Sequence, residues 1–177
     1  RRFPTFDLRC RSRSRKSSSA AWRRSGTRAI PSGVSHRGLA LLSNIELAVA
    51  KGDHAAALAM AQALLDETQN LTRVDIPNLL HWKGKALCGL GRMEEAHEIL
   101  TTARSRAEVP GCYLHLWPIL VELAEVNALL GNREQADANR AEARRIVEQI
   151  AESLRDVGLH DAFLNQPRVQ NVIRASV

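Results

Sequence analysis

The sequence has few aromatic residues, which make up 4% of the chain, while Ala and Leu are abundant. This balance favours packed helices over a β-sandwich. No apolar run reaches the roughly 18–20 residues that a membrane-spanning helix requires. The three cysteines, Cys10, Cys88 and Cys112, are too few and too scattered for a disulfide framework, which favours a reducing compartment. These shortages predict an all-α cytoplasmic protein without a membrane span.

Sequence motifs of catalysis and metal binding are missing as well. The chain has no P-loop, no G-x-S-x-G, no H-E-x-x-H and no C-x-x-C. His81 and Cys88 are seven residues apart, but structural zinc sites use paired ligands, so we expect Cys88 to be a small packing residue. We therefore expect no catalytic residue, no metal and no cofactor. Because the sequence begins with Arg1 and not Met, we expect a fragment, a processed chain or a mispredicted gene start, and any catalytic domain is expected upstream of it.

Positive charge is concentrated at the N-terminal end. Residues 1–37 contain eleven Arg or Lys and one acid, giving +10, whereas residues 38–177 contain fourteen Arg or Lys and eighteen acids, giving −4. Apolar residues are sparse in residues 1–37, so we expect a disordered Arg/Ser-rich tail. Its composition fits a transit peptide, a contact with nucleic-acid phosphates, a contact with an acidic membrane surface, or a stretch without a native role. Nucleic-acid binding through this tail is an alternative function that no recognition helix supports.

An internal repeat occupies the rest of the chain. The glycines Gly52, Gly91 and Gly131 are 39 and 40 residues apart, and apolar residues at helical spacing flank each of them. Glycine tolerates the left-handed conformation that ends one helix and turns the chain into the next. Small residues recur at matched positions, five residues after the turn at Ala57, Ala96 and Ala136, and seven residues before it at Gly84 and Ala124.

This pattern predicts three antiparallel helix pairs that stack on one another. The expected helices are 38–50 with 53–68, 77–89 with 92–107, and 115–130 with 132–155. An isolated pair cannot bury its apolar stripe, which is why about three pairs are the stable minimum. Residues 156–177 are expected to form a helical cap, with one short helix near 159–165 and a second that starts at Pro167. The predicted fold is an α-solenoid of three helix pairs, over residues 38–155, with a C-terminal cap.

With these positions, residues 38–154 resemble the tetratricopeptide repeat (TPR) family. The resemblance rests on the small residue of the first helix, the turn glycine and the alanine five residues later. The period is longer than the usual ~34 residues of the family, and the family's aromatic positions mostly hold aliphatic residues or Ala. Both departures are similar to the long-period repeats of large bacterial signalling proteins. Residues 161–169 also resemble the extreme C-terminus of bacterial proteins that join a nucleotide cyclase, a kinase or a P-loop ATPase to such repeats.

The resemblance implies a protein-interaction module at the partner-binding or regulatory end of a larger signalling protein. In the family, the first helix of each pair lines a concave groove that takes a peptide or a partner helix. The matching positions are Glu46, Asn78, His81, Lys85, Glu122 and Glu125. The Lys, Arg and Asn residues with which some members clamp a C-terminal carboxylate are represented only by Asn78 and Lys85. The acids favour a basic or amphipathic helical partner instead. Self-association through the open end of the stack is an alternative.

Overall fold

The computed structural model of the chain describes residues 36–67, 75–108, 113–156 and 158–174. Apart from His36 and Arg37, which begin the first helix, the basic tail lies outside the described residues. The predictions of disorder, targeting and nucleic-acid binding for that tail therefore stay predictions. Within the described ranges the regular structure is entirely helical, so the predicted all-α class is confirmed there.

The described chain forms eight α-helices. They are α1 His36–Ala50, α2 His54–Glu67, α3 Asp75–Gly89, α4 Met93–Ala107, α5 Tyr113–Leu129, α6 Arg133–Ser153, α7 His160–Leu164 and α8 Pro167–Arg174. The largest differences from the bounds predicted for the three pairs are two residues, at the starts of α1, α3 and α5 and at the end of α6. Within the described ranges, no helix has the length and the apolar content needed to cross a membrane.

The turns within the three pairs share one backbone geometry. Gly91 has a φ of 75°, in the left-handed region that a side chain disfavours. Its N–H donates to the Cys88 carbonyl at 3.0 Å, and the Arg92 N–H donates to the Leu87 carbonyl at 3.0 Å. These two bonds are the Schellman pattern, which satisfies the last free carbonyls of a helix. The same pair of bonds recurs at Gly52 and Gly131, so the repeated glycines end α1, α3 and α5 in the same way.

Each helix from α1 to α6 packs on the next one, and the first helices of neighbouring pairs also touch, α1 on α3 and α3 on α5. The recurring small residues lie inside this packing. Ala57, Ala96 and Ala136 are fully buried, and Ala124 is nearly so. At Gly84 a Cβ atom would lie 2.6 Å from the side chain of Leu100, so α3 approaches α4 more closely than any larger residue allows.

The C-terminal residues extend the last pair with two further helices. Gly158, with a φ of 71°, ends the chain segment that follows α6, and α7 and α8 both pack on α6. Val169 and Val172 of α8 are buried in the same core cluster as Leu120 and Val147. The predicted short helix and the helix start at Pro167 are both present. Because α8 also reaches residues of α1 and α3, its position matters for the candidate site.

Candidate partner-binding groove

Four of the six residues predicted for partner binding lie together between α3 and α5. His81 and Lys85 are one turn apart on α3, and Glu122 and Glu125 are nearly one turn apart on α5. Because α3 packs directly on α5, both pairs face the same depression, which has a volume of about 260 Å³. We call this depression the central groove.

The walls of the central groove are mainly apolar. Trp82 of α3 and Trp117, Pro118 and Val121 of α5 contribute apolar surface, and Ala143 of α6 adds to it. The two tryptophan side chains are themselves mostly buried, so they are held in place by the core beneath them. A surface that combines fixed aromatic walls with a few polar groups is typical of a binding site.

A partly buried ion pair crosses the groove. The Lys85 ammonium donates to Glu122 Oε1, and His81 Nε2 lies 3.9 Å from the same oxygen. Burial alone would oppose ionisation of Glu122, but the nearby His81 ring and the charge and hydrogen bond of Lys85 outweigh it and hold the pKa of Glu122 below the usual value. Glu122 is therefore a fixed negative charge whose position depends on two residues of the neighbouring helix.

Glu125 has a different electrostatic setting one turn further along α5. Partial burial, together with the nearby negative charge of Glu122, raises its pKa, although Lys85 and Arg140 act in the opposite direction. No ion pair joins Glu125 to another residue of the described ranges. The ionised form of this carboxylate would thus be stabilised by a cation brought from outside.

Two neighbouring groups complete the chemistry of the groove. His81 is only 6% exposed, and its Nε2 atom is without a hydrogen-bond partner in the structure. The thiol of Cys88 has its pKa raised to about 11, first by burial and then by the charges of Glu122 and Glu125. Because the thiolate is the reactive form, this raised pKa disfavours reaction of Cys88 near neutral pH.

The other two predicted residues occupy different positions. Glu46 lies on α1, outside the lining of the central groove, and its carboxylate is 3.5 Å from the guanidinium of Arg168. Asn78 is half-buried near the start of α3 and does not line the groove. Four of the six positions therefore cluster in the central groove. Glu46 is linked to this cluster through Arg168 of α8, and Asn78 lies apart from it.

Sequence reasoning missed the contributions of α6 and α8. Arg140 of α6 and Arg168, Asn171 and Val172 of α8 line the groove, and the Arg168 guanidinium lies 5.7 Å from the centre of the Trp82 ring. The repeat pattern ends before α8, so nothing in it relates Arg168 to Trp82. The only sequence signal was the spacing of Val169, Val172 and Ile173, which predicted an apolar face without showing what that face covers.

Other site types have little support in the described residues. Across the described ranges, no group of three or more His, Cys, Asp or Glu side chains is arranged to hold a metal ion. Comparison of the chain with models of known families, with curated proteins and with solved structures gives no match.

Proposed function

We propose that this chain is a protein-interaction module, an α-solenoid of TPR type whose central groove binds a helical segment of another protein. The observation that carries the proposal is the grouping of His81, Lys85, Glu122 and Glu125 between tryptophan walls, on the first helices of two successive pairs. First helices that touch each other, α1 on α3 and α3 on α5, provide a continuous face on one side of the helix pairs. Such a face suits an amphipathic helix.

The charges of the groove favour a partner helix with at least one basic residue. Glu122 is already neutralised by Lys85, whereas Glu125 has a raised pKa and no ion-pair partner among the described residues. A Lys or Arg of the partner near Glu125 would stabilise its ionised form. The apolar side of the same helix would cover Trp117 and Val121, which line the groove beside it.

The C-terminal residues suggest the kind of larger protein to which the chain is proposed to belong. The resemblance of residues 161–169 to the C-terminus of large bacterial signalling proteins supports a role as the partner-binding end of such a protein. We assign no catalytic role to the chain itself. Sequencing the DNA upstream of the codon for Arg1 tests the context: an open frame that continues into a cyclase, kinase or ATPase module is expected.

Charge reversal in the groove tests the binding function. The full-length chain is immobilised, with the variants Glu125→Lys and Glu98→Lys beside it, and exposed to an extract of cells that express the protein. Glu98 is an exposed residue of α4, outside the groove, and serves as the matched control. Like charges brought together in an interface are strongly unfavourable, so proteins retained by the parent and by Glu98→Lys should be retained about tenfold less by Glu125→Lys. Equal retention by all three chains would contradict the proposal.

A further inference from the structure

The C-terminal helix α8 is seated against the face on which the proposed function depends. Its residues Arg168, Asn171 and Val172 line one side of the central groove. Val169 is fully buried and Val172 nearly so, both in the core cluster that contains Leu120 and Leu123. Although α8 follows α7 in the chain and packs on α6 and α7, its first residue, Pro167, is followed at once by Arg168, which reaches α1 and α3.

Arg168 makes the longest of these contacts. Its guanidinium lies 5.7 Å from the centre of the Trp82 ring on α3 and 3.5 Å from Glu46 on α1. Stacking of a guanidinium on tryptophan is the strongest common form of the cation–π interaction. The side chain of Arg168 is nevertheless 65% exposed, so this contact can be altered without opening the core.

We propose that α8 is an internal occupant of part of the partner-binding face, and that the natural partner is an amphipathic helix with the same pattern of an Arg followed by aliphatic residues one and four positions later. This inference rests on the proposed function. The pattern is that of Arg168, which contacts both Glu46 and Trp82, followed by Val169 and Val172, which are buried in the core cluster. Binding of the partner then displaces α8.

The length of α8 makes this exchange feasible. The helix has eight residues, and isolated helices shorter than about 12 residues are marginal in water. Its helical form therefore depends on the docked position. A docked segment that competes with a partner lowers the partner's apparent affinity in proportion to the fraction of open chains.

The test uses the full-length chain and a labelled synthetic peptide of residues 165–177 as the probe. The variant Arg168→Glu removes the contacts with Trp82 and Glu46, and Arg174→Glu makes the same charge change at the exposed far end of α8. Fluorescence polarisation gives the peptide affinity of each chain, and amide hydrogen exchange reports the docking of α8. A peptide with Val169→Asp and Val172→Asp serves as the control probe.

We expect the peptide to bind Arg168→Glu about fivefold more tightly than the parent or Arg174→Glu, since one cation–π contact and one exposed ion pair are lost from the internal competitor. Exchange of the α8 amides should be faster in Arg168→Glu alone, and the control peptide should bind none of the chains. Equal peptide affinity of the three chains, or no binding to any of them, would overturn the inference. A dimeric parent whose α8 serves a second copy, seen by light scattering, would also overturn it.

These outcomes separate the inference from the proposed function. The peptide experiment concerns α8 alone, whereas the charge reversal at Glu125 concerns an external protein. If the peptide result overturns the inference while Glu125→Lys still weakens retention of the external protein, the groove binds that protein and α8 borders the groove without competing. Loss of sensitivity to Glu125→Lys with tight binding of the peptide would show a face that serves only the internal helix.

Discussion

The two core clusters of the described residues differ in size and in the side chains that form them. The N-terminal cluster joins α1, α2 and one side of α3, and about half of its buried members are alanines or the small Val49. The C-terminal cluster joins the other side of α3 to α4, α5, α6 and α8, and it contains a run of large side chains in α5 from Leu116 to Val126. The central groove lies mostly over the C-terminal cluster, with Trp82 as the member of the N-terminal one.

Helix α3 belongs to both clusters, which makes it the structural link between them. Leu79, Trp82 and Ala86 point into the N-terminal cluster, while Leu80 and Leu87 belong to the C-terminal one. If the helix pairs form the proposed linear array, each pair is stabilised mainly by its neighbours. The larger cluster should therefore supply most of the stability, and the smaller one should depend on it through α3.

The largest expected effect is the loss of a leucine from the C-terminal cluster. Leu100 is fully buried against Gly84, and Leu100→Ala should cost about 2–5 kcal/mol in the free energy of unfolding. Leu64→Ala, in the N-terminal cluster, should cost less because this cluster is smaller and lies at one end of the array. Chemical denaturation followed by circular dichroism gives both values. A separate early transition in Leu64→Ala would show that the clusters unfold independently and that α3 does not couple them.

Overfilling the contact between paired helices should have the next largest effect. Ala96 is fully buried, and a side chain at Gly84 would collide with Leu100, so Ala96→Leu or Gly84→Leu should cost about 1–3 kcal/mol. Thermal melts of the two variants measure the loss.

The matched control is Glu95→Gln, next to Ala96 but exposed. Glu95 is paired only with Arg92 at the surface, so its melting temperature should stay close to that of the parent. A collapse of Glu95→Gln with normal melting of Ala96→Leu would mean that the helix faces are assigned wrongly.

Removal of the Glu122 carboxylate should have a similar or smaller effect on the free energy of unfolding, and this effect should depend on pH. Because the pKa of Glu122 is lowered in the folded chain, its ionised form stabilises the fold above the usual glutamate range, and this contribution is lost as the pH falls through the folded pKa. Glu122→Gln should lose about 1–3 kcal/mol at neutral pH, because its hydrogen bond from Lys85 no longer joins two charges, and it should show a flatter decline in acid. Melting temperatures measured between neutral pH and strongly acidic pH test this.

Glu125→Gln provides a control of opposite sign. The pKa of Glu125 is raised in the folded chain, so its ionisation disfavours the fold as the pH rises through the folded pKa. Its removal should leave the chain slightly more stable at neutral pH. Identical pH profiles for the parent and both variants would contradict the electrostatic account of the groove.

The smallest expected effect comes from removal of residues 1–35. These residues contain ten of the 25 Arg and Lys residues of the chain and few apolar side chains, so the shortened chain should melt at the temperature of the full chain. Any binding of nucleic acid should disappear with them and, in the full chain, should weaken steeply with salt. A large loss of stability, or a salt-resistant complex of the shortened chain with nucleic acid, would refute this expectation.

The sequence predicted the helices well because their ends carry strong local signals. Gly52, Gly91 and Gly131 end the first helices through the same pair of hydrogen bonds. The register between repeats also placed Lys85 and Glu125 at equivalent positions, six residues before the turn glycine in each repeat. That equivalence was enough to predict that they face the same side.

The position of α8 could not be predicted from the same signals. Its apolar spacing shows that Val169 and Val172 are covered, but contact between Arg168 and Glu46, 122 residues apart, depends on how the whole stack is arranged. Asn78 shows a different limit of the pattern, since its repeat position suggested the groove and in the structure it does not line it. Local periodicity predicts elements, whereas a site assembled from distant elements also requires their packing.

Site-specific crosslinking locates the surface at which a partner contacts the protein. A photoreactive benzophenone side chain replaces Pro118, which lines the central groove, or Thr101, which is exposed on α4 outside it. The two substituted chains should first melt at the temperature of the parent. Each is then mixed with a protein that the parent retains in the charge-reversal experiment, and the mixture is illuminated. The account predicts a covalent partner adduct from position 118 and none from position 101. Adducts from position 101 with none from position 118 would place the binding surface on the second helices and contradict the account.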